Sequence, residues 1–173
     1  MNQNLAVKES LMTEAEYLAF EEKSKIRHEF MDGEIFAMAG ATRRHNLANT
    51  NISTELNLQL RETDCEVYAN DFRVRIRDGH NVYPDVAVAC GDIKVEGNET
   101  TLLNPIIVFE VLSKSTEKRD RGDKAEDYFR LSSLKDNSVK TLLRAPAQST
   151  PISARARTAY GLTRVCSVPA ERT

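Results

Sequence analysis

The stretch IIVFEVLSKS, residues 106–115, decides the fold. Ile106, Ile107, Val108, Phe109, Val111 and Leu112 surround a single carboxylate, Glu110. A short run of β-branched and aromatic residues predicts a strand. With period-two geometry Ile106, Val108, Glu110 and Leu112 share one face, and Ile107, Phe109 and Val111 take the other. Apolar residues on both faces predict a central strand covered on both sides. A charge in such a strand costs several kcal/mol unless it is paired or bound to a cation. Glu110 is therefore either a structural acid satisfied by an arginine or a backbone donor, or a ligand. The strand by itself leaves both open.

Upstream, Thr13 and Glu16 have capping-box spacing ahead of AEYLAF, which predicts a helix. RHEFMDGEIFAMAG, residues 27–40, alternates around Asp32-Gly33 and predicts a hairpin. From His45 to Arg61, Ala48, Ile52, Leu56 and Leu60 recur at every fourth residue, a helical stripe. EVYANDFRVRIRD predicts a strand broken near Asn70. VYPDVAVAC predicts another, with Pro84 at an edge or a strand start. Residues 91–104 read as a connecting excursion, and a further helix should run from about 117–120 to Leu131. Helix, hairpin, helix, strands and helix in that order predict an α+β fold: a mixed central sheet flanked by helices, with an N-terminal helix and β-hairpin added.

A chain of 173 residues suits one domain, and a net charge of −2 restricts any nucleic-acid contact to a local patch. Cys65, Cys90 and Cys166 form no C-x-x-C pair, which fits reduced thiols better than a disulfide or zinc framework. With no membrane-length apolar run and no signal-peptide core, a cytoplasmic location is expected. His28 and His80 show no partner pattern and read as surface residues. Residues 135–173 differ from the rest, with seven Lys/Arg against Asp136 and Glu171, whereas the remainder has seventeen basic and twenty-four acidic residues. RAPAQSTPISARART, residues 144–158, lacks apolar periodicity and reads as a poorly ordered tail or a basic nucleic-acid-binding arm.

A second acid bears on Glu110. Asp85 begins an apolar strand and shares its face with Ala87 and Ala89. Two carboxylates on neighbouring strands make an oxygen donor set suited to Mg2+, which takes one or two carboxylates plus water and phosphate oxygens. Lys124 and Tyr128 are four apart on the following helix. A lysine beside two carboxylates would offset their charge and stabilise a phosphorane-like transition state. A solvent-facing helix laced with Asp–Lys pairs explains the same segment. Arg73, Arg75 and Arg77 project from one strand face, either towards phosphates or as the solvated face of an edge strand.

YPDVAVA, VFEVLSKST and DRGDKAEDY together resemble the signature segments of the Uma-two restriction-endonuclease family, a branch of the PD-(D/E)XK nuclease superfamily, and RHEFMDGEIFAMAGATRRHN resembles its N-terminal segment. The resemblance spans roughly Leu11 to Asp136 and implies a restriction-endonuclease-like domain over 11–136 that hydrolyses DNA phosphodiesters with Mg2+, or Mn2+ in its place. It implies metal binding by Asp85, Glu110 and the Val111 carbonyl, with Asp85, Glu110 and Lys124 as the catalytic set. The superfamily usually places its lysine two residues after the acid, where this chain has Leu112; Lys124 on the next helix is the matching residue. His45 resembles a recurrent family histidine, and substrate contacts are expected from His45, Arg73, Arg75 and Tyr128. DNA is the expected partner, a homodimer is compatible with the reading, and no membrane is implied. After Asp136 the resemblance ends, and residues 137–173 are expected to be an atypical tail from a shifted frame or rearrangement, leaving the domain C-terminally incomplete. A non-catalytic binding domain on the same fold and an inactive pseudo-enzyme are the alternatives.

Overall fold

The computed structural model describes residues 11–38 and 40–112, Lys124, Tyr128, and the backbone of 140–144. Helix α1, Glu14–Glu21, starts at the expected capping box: the Thr13 hydroxyl accepts the Glu16 N–H, and the Glu16 carboxylate accepts the Thr13 N–H. Strands β1, His28–Met31, and β2, Glu34–Ala37, pair across a two-residue turn. Asp32 and Gly33 both have positive φ there, the twist that a tight hairpin needs. Helix α2, Arg43–Leu60, follows with Thr42 as its N-cap. Strand β3, Cys65–Ala69, is separated from β4, Arg73–Arg77, by Asn70 and Asp71, both left-handed. The expected strand around Pro84 is two strands, β5, His80–Val82, and β6, Val86–Cys90, with Asp85 at the start of the second.

The fold is the expected mixed-sheet α+β type, with its strands divided between two sheets. One has six strands in the order β2-β1-β5-β4-β8-β7, where β7 is Val95–Glu96 and β8 is Thr101–Leu102. The other runs β10-β9-β6-β3, with β9 at Ile107–Leu112 and β10 at Lys140–Arg144. The stretch read as a connecting excursion thus supplies an edge hairpin, because β8 finds a parallel partner in the distant β4. Within the segment expected to be a poorly ordered tail, residues 140–144 instead pair in parallel with β9, whose open side offers unmatched backbone groups. The remainder of 137–173, and most of the helix expected over 117–131, lie outside the described residues; Lys124 and Tyr128 are helical.

The layers follow from which face each residue takes. Ala48, Ile52, Leu56 and Leu60 of α2 cover Val86, Val88, Ile107, Phe109 and Val111. The opposite face, with Ala87, Ala89 and Val108, packs against Val74, Ile76, Val82 and Leu102 of the six-stranded sheet and against Tyr128. β9 is therefore interior and covered on both sides, as its composition demanded. Ile106, expected on the Val108 face, packs with the α2 cluster, because it lies ahead of the strand. On the outer face of the six-stranded sheet, Tyr17 of α1 stacks on Phe30 at 4.8 Å.

The two histidines read as surface residues are buried. His28 Nδ1 lies 3.0 Å from the buried Glu21 carboxylate, and His80 Nε2 lies 2.9 Å from Asp32. Cys65 and Cys90, expected as thiols, face each other in the β3–β6 register and form a disulfide. Twenty-five residues of separation hid that pairing from the sequence.

Candidate active site

Antiparallel pairing of Val86 with Phe109 brings Asp85 alongside Glu110 and Val111. The Val111 N–H donates to Asp85 Oδ2 at 2.7 Å. His45, on the first turn of α2, places Nε2 3.2 Å from the same oxygen. Asn49, one turn on and buried, donates to Asp85 Oδ1 at 3.4 Å and to the Asn70 side chain. The Asn70 N–H in turn donates to the Asp85 carbonyl at 3.2 Å. The hydrogen bond to Asp85 holds His45 above the usual imidazole range; partial burial opposes this, and the negative charges of Asp85 and Glu110 add to it.

Glu110 lies in the layer between the sheets, where it is 5% exposed. Its Oε1 accepts the Tyr128 hydroxyl at 2.8 Å and lies 2.9 Å from Lys124 Nζ. Lys124, 4% exposed, is also 2.7 Å from Glu29 Oε1 on β1. Glu29 Oε1 accepts the Tyr83 N–H at 3.3 Å as well. Because Glu29 belongs to the six-stranded sheet and Glu110 to the four-stranded one, the Lys124 ammonium bridges the two sheets.

Six of the residues singled out from the sequence thus gather at one place: Asp85, Glu110, Val111, His45, Lys124 and Tyr128. Val111 takes part through its N–H. Arg73 and Arg75 go elsewhere. β4 lies inside its sheet, and its arginine face meets α1 and the β7–β8 hairpin. Arg73 is buried, donates to Thr101 Oγ1 at 2.8 Å and lies over the Tyr17 ring. Arg75 is paired with Glu14 at 3.1 Å and Glu96 at 2.6 Å. The sequence reading missed Glu29 and Asn49. Glu29 carried the same signal as Glu110, an acid within a strand, but the hairpin alternation masked it.

The donor set suits a hard cation. Asp85 and Glu110 contribute only oxygen donors. No group of three or more His, Cys, Asp or Glu able to hold a metal occurs among the described residues.

The strands and helices make a mixed-sheet α+β fold that brings Asp85, Glu110 and Lys124 near one another. The profile of the Uma2 family, described as "Putative restriction endonuclease", matches residues 14–135, and the chain belongs to that family. Two uncharacterized proteins of Synechocystis sp. strain PCC 6803 are relatives. The first, slr1290, is 37% identical over 122 residues, 70% of this chain and 64% of the relative, so the chain spans just under two thirds of that protein. The second, sll1609, is 34% identical over 128 residues, 73% of this chain and 72% of the relative. The crystal structure of a "putative nuclease belonging to DUF820" from Anabaena variabilis superposes with a TM-score of 0.57 at 18% identity, over 67% of each chain. That likeness concerns the fold.

Proposed function

We propose that this chain is a divalent-metal-dependent nuclease that hydrolyses phosphodiester bonds in DNA, with residues 11–136 as the catalytic unit and the cytoplasm as its location. The observation that carries the proposal is Lys124 Nζ 2.9 Å from Glu110 Oε1, with Asp85 on the neighbouring strand. Asp85 and Glu110, with the Val111 carbonyl, would hold Mg2+ or Mn2+. Bound there, such an ion supplies Lewis-acid polarisation of the phosphate and a nucleophilic water at neutral pH. The Lys124 ammonium stabilises charge developing on the phosphate oxygens in a site sheltered from bulk water. Tyr128 fixes the Glu110 carboxylate, and His45 and Asn49 fix Asp85. His45, less buried than Glu110, is the side chain of this group best placed to reach substrate.

The test is cleavage of plasmid and linear DNA, with RNA in parallel, in Mg2+ or Mn2+. Asp85→Asn, Glu110→Gln and Lys124→Met proteins, each checked for a folded circular-dichroism spectrum, should lose at least about a hundredfold in rate. Equal cutting by wild type and all three variants would mark a contaminant or a misplaced site.

A further inference from the structure

Glu29 has no part in the mechanism above, yet it is 5% exposed and its Oε1 is 2.7 Å from Lys124 Nζ, shorter than the 2.9 Å from Glu110 Oε1 to the same ammonium. Its place on β1 sets this up. His28 and Phe30 turn outward to α1, so period-two geometry sends Glu29 and Met31 inward to the layer between the sheets. A lysine head on a flexible four-carbon stem has no preferred direction of its own. Here it is gripped from both sheets at once. If Glu110 were the sole buried carboxylate beside Lys124, the ammonium would neutralise it one for one and compete with any cation for its oxygens. With Glu29 present, two carboxylates share the Lys124 ammonium.

We infer that Glu29 is a positioning residue: it draws Lys124 to a fixed point and offsets its charge, so that Glu110 keeps its capacity to ligate; this rests on the nuclease proposal. Glu29 acts through Lys124 and does not itself take the cation. Glu29→Gln separates this role from a merely structural one, because the amide oxygen still accepts the Tyr83 N–H while the negative charge is lost.

The experiment is a double-mutant cycle on DNA cleavage with wild type, Glu29→Gln, Lys124→Met and the double variant, together with Mn2+ titration calorimetry. Glu29→Gln should lower kcat by about 10- to 100-fold, the usual effect of removing the partner of a site residue, with KM for DNA within about twofold. In the Lys124→Met background it should cause no further loss. Mn2+ affinity should fall about threefold in Glu29→Gln, where the ammonium competes for the Glu110 oxygens, and at least about tenfold in Glu110→Gln. Should Glu29→Gln fail to fold, Glu29→Asp, which keeps the charge but shortens the reach, takes its place in the cycle with the same expected non-additivity. Losses that multiply in the double variant, an unchanged kcat, or loss of Mn2+ binding equal to that of Glu110→Gln would each overturn the inference while leaving the nuclease proposal standing. A wild type that cuts no nucleic acid with any divalent ion would overturn the nuclease proposal itself, and this inference with it.

Discussion

Replacing Lys124 by Met leaves Glu29 and Glu110, each 5% exposed, facing one another without the ammonium between them. Methionine matches the lysine stem in length, so the substitution removes charge and leaves packing nearly intact. Removing one partner from a buried ionic group is costly because the remaining charge stays desolvated, typically about 3–5 kcal/mol. For a chain of this size each kcal/mol lowers the melting temperature by about 2–4 °C, so a fall of about 6–20 °C is expected. That would be a large share of a domain stability of about 5–15 kcal/mol. Urea and thermal unfolding followed by circular dichroism, without divalent ions, give the number. The control is Glu29→Gln/Glu110→Gln/Lys124→Met. Its amides still serve the Tyr83 N–H and the Tyr128 hydroxyl, and it should return to within about 2 kcal/mol of wild type, since neutral replacements of buried ion groups are often tolerated. A Lys124→Met protein that loses less than about 1 kcal/mol would refute the premise that this ammonium holds two buried carboxylates.

Two further outcomes are expected. Hydrogen bonds from Arg77, and then from His80, hold the Asp32 carboxyl at about 2 against an ordinary 3.8. Its contribution is complete above about pH 4 and is lost as the pH falls towards 2, and it is small, because the side chain is 69% exposed and screened by solvent. The urea-midpoint difference between wild type and Asp32→Asn, whose amide tolerates the left-handed φ of 46° here, should therefore shrink on acidification through that window. A difference that widens would contradict the assignment. Chain purified without reductant and unfolded in guanidinium should titrate one thiol, Cys166, rising to three after reduction. Three thiols before reduction would place Cys65 and Cys90 in the thiol state that a reducing cytoplasm favours.

What could be read from the sequence was what neighbouring residues settle among themselves. Thr13 with Glu16 fixed the start of α1, Asp32-Gly33 fixed the hairpin, and the stripe from Ala48 to Leu60 fixed the buried face of α2. Glu110 announced itself because a charge inside an apolar strand must be answered. What could not be read depended on register between distant segments. β8 is a two-residue strand only because β4 lies beside it, and Cys65 meets Cys90 only through the β3–β6 ladder. The arginines of β4 fit a phosphate track in one dimension; in three they are taken by Glu14, Glu96, Thr101 and Asp32. Glu29 was hidden for the same reason, since nothing in RHEFMDG says that the inward face of that hairpin meets Lys124.

The chain passes between the two sheets at residues 70–72 and again at 83–85, and the two passages touch where the Asn70 N–H meets the Asp85 carbonyl. Asp85 therefore sits on a seam, and Lys124 bolts the layers together a short way inside it. Anything that binds at this seam and not to the unfolded chain fastens both layers, and adds about 2.7 kcal/mol of resistance to unfolding at a hundred times its dissociation constant. Occupancy and cohesion thus become one quantity, so a melting curve recorded against ligand concentration reads binding at this site with no substrate and no turnover.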